Sequence, residues 1–439
     1  MDFIRGVAMV GVLLFHVLNV AYAQGADAVK GALGGEGSVP GAMVALGLVL
    51  VYFGLFNGMF VLISGMVNVI TMDGQWKRAT AKGKDAASTA KRIFTGQFVR
   101  GTFTILMGVL SEWVLNGVLL DAIVGEEVTA TDFLGHLWQI NILQTIGLST
   151  IICAAVYLVL RVRGTKTGKL VKTLALLGVV VLAIRPFAMA ALAASPSPGH
   201  NFWSGWETRT PATNFAYFFL APLVGRLTPL IPYLACGFFG TSLGVALTSG
   251  GLTKQFIKKS LLVGVALLAA AVVALVFELA VFDLGLELDT ARSFATFLSA
   301  FGGEVIATVL LLAAVDYRGK TEAFAKKTVF FRRFALVTLT LWNMQWVMIF
   351  PLFAFDAATG WGVLEGALNG YQLMLLLALI TAFWHMILRA WERADFKYSF
   401  EWLANKVIAP TRDVESDRLK VRRVLYGREE GGEPEDDAS

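Results

Sequence analysis

The opening segment MDFIRGVAMVGVLLFHVLN sets four polar groups, Asp2, Arg5, His16 and Asn19, in an otherwise apolar run. Arg5 and His16 are eleven residues apart, and at about 100° per residue that spacing returns to within about 20° of the same face while rising about 16 Å. Asp2 stands three residues before Arg5 and Asn19 three after His16, so in a helix all four line one stripe. A histidine deep in hydrocarbon is costly unless it faces protein or a water-filled cavity, which makes it a candidate functional group. Neutral imidazole takes a proton from a hydroxyl or an amine and returns it, the chemistry that acyl transfer uses. His16, with Asn19 and Asp2 to orient its partners, is therefore the candidate catalytic set. Two other readings compete with it. His16 can be an interhelical hydrogen-bond partner, or the segment can be a signal peptide processed at Ala21-Tyr22-Ala23. Asp2, His16 and Asn19 are poor company for a signal core.

Further polar groups stand inside apolar runs. Glu304, in SAFGGEVIATV, follows two glycines that let a neighbouring helix or ligand come close; it is a candidate for proton relay, for acceptor binding, or for pairing with Arg185. Arg185, beside Pro186, can bind an anionic acceptor through bidentate contacts to phosphate, or snorkel to the interface. His385 and Arg389 lie one turn apart near the end of an apolar run, where they can meet cofactor phosphates or anchor the interface. His136 and Gln139 form a similar pair. The segment 194–228, with His200, Trp203 and Trp206, reads as a lid or acceptor site, or as an interfacial hairpin. No Gly-rich phosphate loop or HExxH occurs, so nothing supports an ATPase or a metalloprotease.

These groups must be held by membrane-spanning helices. Of 439 residues, 56% are hydrophobic and 16% charged, with a mean hydropathy of +0.66, which all but rules out a soluble globular enzyme. A helical span needs roughly 20 apolar residues. The runs predict an all-α integral membrane protein of about ten transmembrane helices, at 4–22, 48–71, 101–121, 136–160, 173–193, 229–249, 261–282, 294–315, 334–355 and 371–391. The first part of the run from Val39 to Met72 reads as interfacial or re-entrant. Basic residues fall in alternate connections, from Lys77 to Arg100, Arg161 to Lys172, Lys254 to Lys259 and Arg318 to Arg333. The positive-inside rule then puts both termini in the cytoplasm. Residues 1–396 form the membrane domain, and 397–439 a cytoplasmic tail, amphipathic, then basic, then acidic. Membrane orientation accounts for the net charge of +5 better than nucleic acid does. Cys153 and Cys236 sit in apolar runs as buried small hydrophobes, and no metal is implied.

The segment DFIRGVAMVGVLLFH, with D-x-x-R-G and R-x10-H, resembles the first helix of the transmembrane acyltransferases: acyltransferase family 3, heparan-α-glucosaminide N-acetyltransferase and their bacterial relatives. GLFNGMFVLISGMVNVI looks like the F-x-x-x-S-G helix of that group, with Ser64-Gly65 at the matching place. Gln144 in NILQTIGLS resembles the L-Q-R-x-G element, with Thr145 in place of Arg. LTLWNMQ (339–345) and DFKYSFEWL (395–403) resemble L-T-x-Y-x-x-Q and G-P-L-E-W-L, with Trp342 for Tyr and Ser399-Phe400 for Gly-Pro. The sugar N-acetyltransferases carry Asn at the place of His16 and a further His in the following loop, whereas residues 17–135 here contain none.

The resemblance implies an enzyme of the bacterial inner membrane that moves an acyl group, usually acetyl, from cytoplasmic acyl-CoA to a hydroxyl or amine of a cell-envelope glycan or lipid-linked acceptor. In that scheme His16 matches the catalytic histidine. Arg5, Gln144 and Arg389 are the candidates for binding acetyl-CoA, and Arg185, Glu304 and Trp203 for binding the acceptor. Partners are the bilayer, the acceptor and further copies of the chain in a homo-oligomer, not nucleic acid. The rival reading is a proton-coupled transporter or flippase.

Overall fold

The computed structural model describes residues 1–21, 49, 52, 57–111, 140–193, 210–225, 228–282, 293–363, 368–409 and 421–426. The elements among them are helical, with no strand. In chain order they are α1 Asp2–Ala21, α2 Asn57–Ala81, α3 Ala86–Val109, α4 Ile142–Val162, α5 Thr167–Ala193 and α6 Pro211–Val224. They continue with α7 Leu230–Gly250, α8 Lys254–Phe282, α9 Phe294–Ala314, α10 Thr321–Lys327, α11 Val329–Leu336 and α12 Thr338–Asn343. A 3-10 turn, Gln345–Met348, leads to α13 Ile349–Thr359, α14 Gly370–Glu392, α15 Phe400–Ile408 and α16 Val421–Tyr426.

Among the described residues, six of these helices, α4, α5, α7, α8, α9 and α14, are long and apolar enough to cross a membrane. They overlap the spans expected at 136–160, 173–193, 229–249, 261–282, 294–315 and 371–391, with α4 starting later and α5 and α8 starting earlier than expected. The span expected at 4–22 corresponds to α1. Those expected at 48–71 and 101–121 are described only in part, through α2 and α3. The one expected at 334–355 is not a continuous helix: it is cut into α11, α12, the 3-10 turn and α13.

Two of the long helices begin with the same local device. In both N-I-L-Q (141–144) and N-G-Y-Q (369–372) the Asn side chain accepts backbone N–H groups of the first turn while the Gln side chain accepts the N–H of the Asn. Each capping box satisfies donors that the helix start would otherwise leave without partners.

The chain forms two compact units: Met1–Phe56, Leu311–Asn405 and Ser416–Ser439 make unit 1, and Asn57–Leu310 with Lys406–Glu415 makes unit 2. Unit 2 is built around α7, which packs on α2, α4 and α5. Small residues bring the backbones together there. A Cβ on Gly240 would lie 2.0 Å from the Leu62 carbonyl oxygen, and one on Gly65 2.6 Å from that of Gly237. Gly101 of α3 and Gly147 of α4 meet in the same way, a Cβ on either falling 2.7 or 2.5 Å from the other's carbonyl oxygen. In hydrocarbon, where burying Leu gains little over lipid, such close backbone approach is the main source of packing energy. The outward side of α8 exposes Leu262, Val265, Val272, Val273 and Val276, a surface suited to lipid.

Unit 1 is organised by α1, buried on most sides through Ala8, Met9, Val12, Leu13 and Val17, and packed against α11, α12 and α14. The short α16, in the expected cytoplasmic tail, packs on α10 and α11 with Val421 and Leu425 buried. Its neighbour Val424 offers a carbonyl oxygen to Arg332 Nη1 at 2.7 Å.

Candidate functional site

The first-helix stripe lies within unit 1. Arg5 Nη2 pairs with Asp2 Oδ1 at 3.0 Å, and both side chains stay about a third exposed (32% and 37%). Gly6 explains why this end of α1 needs its glycine: a Cβ there would fall 1.9 Å from the carbonyl oxygen of Phe331 in α11. Phe3 closes the same crossing edge-on against Phe324 and Phe331, with ring centroids 5.0 and 5.3 Å away. His16 sits three turns further along α1, half-buried. Asn19 belongs to the same helix, but its side chain lies outside the described residues.

The interruption between α11 and α12 is repaired by a distant carboxylate. Val337 departs from helical geometry (φ −123°, ψ 34°), which frees backbone N–H groups just beyond it. Glu401 of α15 takes them up: Oε1 accepts from the N–H of Leu339 at 2.5 Å and of Thr340 at 3.3 Å. Oε2 accepts the Thr340 hydroxyl at 2.6 Å, and the same hydroxyl oxygen accepts the Phe400 N–H at 2.8 Å. LTLWNMQ and DFKYSFEWL, which the sequence marks as separate elements, thus form one hydrogen-bonded junction. Burial pushes the Glu401 carboxyl above its ordinary range, and the hydrogen bonds from Thr340 and from the backbone moderate that rise.

Arg333 of α11 and Glu392 of α14 form a second junction in unit 1, 2.6 Å apart, with exposures of 12% and 16%, and the Tyr426 hydroxyl donates to the same carboxylate. The His385 ring rests on Phe330 of α11, centroids 5.1 Å apart. Arg389, one turn on, is exposed. Unit 1 also holds several buried polar atoms to which no donor or acceptor among the described residues comes: Arg5 Nε, Asn343 Oδ1, Gln345 Oε1, Trp384 Nε1 and His385 Nδ1. Asn343 is fully buried and Trp384 nearly so. Polar atoms in that state have hydrogen-bonding capacity to offer a ligand.

The remaining expected site residues fall in unit 2 or outside the described residues. The side-chain carbonyl of Gln144 is engaged in its capping box, accepting the Asn141 N–H at 2.7 Å. Thr145, next to it, donates its hydroxyl to the carbonyl of Thr228. Arg185 does not snorkel: it is 1% exposed, and its guanidinium lies over the rings of Phe294 and Phe297 at 5.5 and 5.3 Å. Nor is it paired with Glu304, to whose carboxylate no described side chain donates. Trp203, His136, Gln139 and His200 lie outside the described residues.

Two polar clusters of unit 2 escaped the sequence reading. Asn68 donates to Ser64 and Thr150, each at 3.2 Å, and accepts from Arg100 at 2.8 Å. Asp73, 2% exposed, pairs with Lys77 at 2.8 Å and with Arg161, and accepts the Tyr157 hydroxyl at 3.1 Å. Both centre on one polar residue inside or just past an apolar run, and that was the signal available. Among the described residues no group of three or more His, Cys, Asp or Glu side chains is arranged to hold a metal. Comparison with known protein families and with curated proteins returns no match for the chain.

Proposed function

We propose that the chain is an acyl-CoA-dependent O- or N-acyltransferase of the bacterial inner membrane, with ten spans and both termini in the cytoplasm. The acyl group, acetyl in the simplest case, passes to a hydroxyl or amine of a cell-envelope glycan or lipid-linked acceptor. His16 takes the proton of the acceptor group as it attacks the thioester carbonyl. The tetrahedral intermediate then expels the CoA thiolate, which receives that proton from the imidazolium. Asp2 and Asn19 orient these groups, and Arg5 and Arg389 meet the CoA phosphates from the cytoplasmic side.

The observation that carries this reading is the concentration of chemistry in unit 1. One helix bears the Asp2–Arg5 pair and, three turns on, His16. Among the described residues the same unit keeps buried donors and acceptors without partners on α12, the 3-10 turn and α14. The junction of Glu401 with Thr340 supports it further, because it joins two elements that the resemblance had marked independently.

The test is transfer of labelled acetyl from acetyl-CoA to membrane glycolipids by the purified protein. His16→Ala should abolish transfer while leaving expression and membrane insertion intact. Undiminished transfer by that variant removes His16 from the mechanism, and an inactive wild type removes the acyltransferase reading.

A further inference from the structure

Glu304 in α9 is 1% exposed; among the described residues no side chain donates to its carboxylate, and the donor beside it is the backbone N–H of Met59. A carboxyl in an apolar interior is normally locked by a side-chain donor or a cation, and here no described side chain supplies either. On one side lies Gly58 of α2, where a Cβ would stand 2.5 Å from Oε2; only the missing side chain leaves room for the carboxyl. The Cys236 sulfur of α7 borders the same point, 3.2 Å from that Cβ position. One turn along α9, the Thr308 hydroxyl reaches Met59 Sδ at 3.3 Å. From α8, Gly264 and Leu268 close on Gly302, two residues before Glu304. The ionisable group facing Glu304 among the described residues is the Cys236 thiol.

We propose that Glu304 is a proton-binding site in the interior of unit 2, bounded by Cys236 and Gly58, whose proton exchanges with the aqueous phase. The neighbouring groups favour a proton over a metal cation. Sodium, magnesium and calcium need several oxygen ligands, whereas the side chains beside this carboxyl offer the soft sulfurs of Cys236 and Met59. The missing side chain at Gly58 leaves the carboxyl its room, and no described side chain donates to it. This site goes beyond acyl transfer, does not depend on it, and equips the chain to bind or pass protons.

The test is labelling of the full chain, in lipid vesicles, with the apolar reagent dicyclohexylcarbodiimide. It adds across a protonated carboxyl, and the O-acylisourea rearranges to a stable N-acylurea that keeps every atom of both partners. Mass spectrometry should find one reagent on the peptide containing Glu304, with labelling that declines as the pH is raised. Glu304→Gln, of the same shape, should be unlabelled at this peptide. Gly58→Ala sets a methyl group against Oε2 and should lower labelling roughly tenfold. His16→Ala should leave labelling unchanged, which separates this site from the acyl-transfer reading. Absence of label on Glu304 at every pH, or labelling that does not change with pH, overturns the proposal.

Discussion

Glu401→Ala tests the logic of unit 1 most directly. The side chain accepts the Leu339 and Thr340 N–H groups where α11 breaks into α12, and also binds the Thr340 hydroxyl. Removing it leaves two backbone donors without an acceptor, and each buried donor so stranded costs about 1–3 kcal/mol. Taking about 2–4 kcal/mol for the pair, local opening becomes about 30- to 1,000-fold easier, since 1.4 kcal/mol is about a factor of ten. Amide hydrogen exchange read by mass spectrometry on a peptide covering 337–343 should accelerate by that factor, with a peptide from α4 unchanged. Glu401→Gln keeps one carbonyl oxygen for the two N–H groups and should cost about 1 kcal/mol, a less than tenfold effect. If the Ala variant exchanges like the wild type, or the Gln variant as fast as the Ala variant, Glu401 is not what holds the broken segment together.

Three further outcomes follow from the same geometry. Because burial raises the Glu401 carboxyl above its ordinary range, folding favours its protonated form. That contribution is complete below the unfolded carboxyl's pKa of about 4.3 and is lost as pH rises through the folded value. Protection of 337–343, corrected for intrinsic exchange, should therefore fall with rising pH in the wild type and stay flat in Glu401→Gln. Gly6→Ala drives a methyl group into the Phe331 carbonyl oxygen, 1.9 Å away; thermal unfolding in detergent should show a loss of about 1–3 kcal/mol, and an unchanged Tm would mean that α1 and α11 do not cross so closely. Asp73→Ala strips Arg161 and Tyr157 of their shared acceptor. Its expected cost is about 3 kcal/mol, and a double-mutant cycle with Arg161→Met should recover much of it as coupling; additive effects would refute the pairing.

The long helices were legible in the sequence for a local reason. A helix in hydrocarbon must satisfy its own backbone and span a set thickness, so apolar run length alone marks α4, α5, α7, α8, α9 and α14. Their starts were partly legible too, since N-x-x-Q encodes its own cap within four residues. The run at 334–355 misled because hydropathy is blind to a break whose compensating acceptor, Glu401, comes some sixty residues later. Gln144 was read through a family motif, while its carbonyl oxygen closes a capping box.

The sequence by itself thus marked six of the long apolar helices and the few polar groups that stand inside them. Tertiary structure alone decided what those polar groups meet. Arg185 and Glu304, both inside long apolar runs, invite pairing on charge alone, yet one lies over two phenylalanine rings and the other faces a glycine and a thiol. The physical reason is one of range. Helix formation and hydropathy act over neighbouring turns, whereas the partner of a buried polar atom is set by where glycines such as Gly6, Gly58 and Gly240 let distant helices come close.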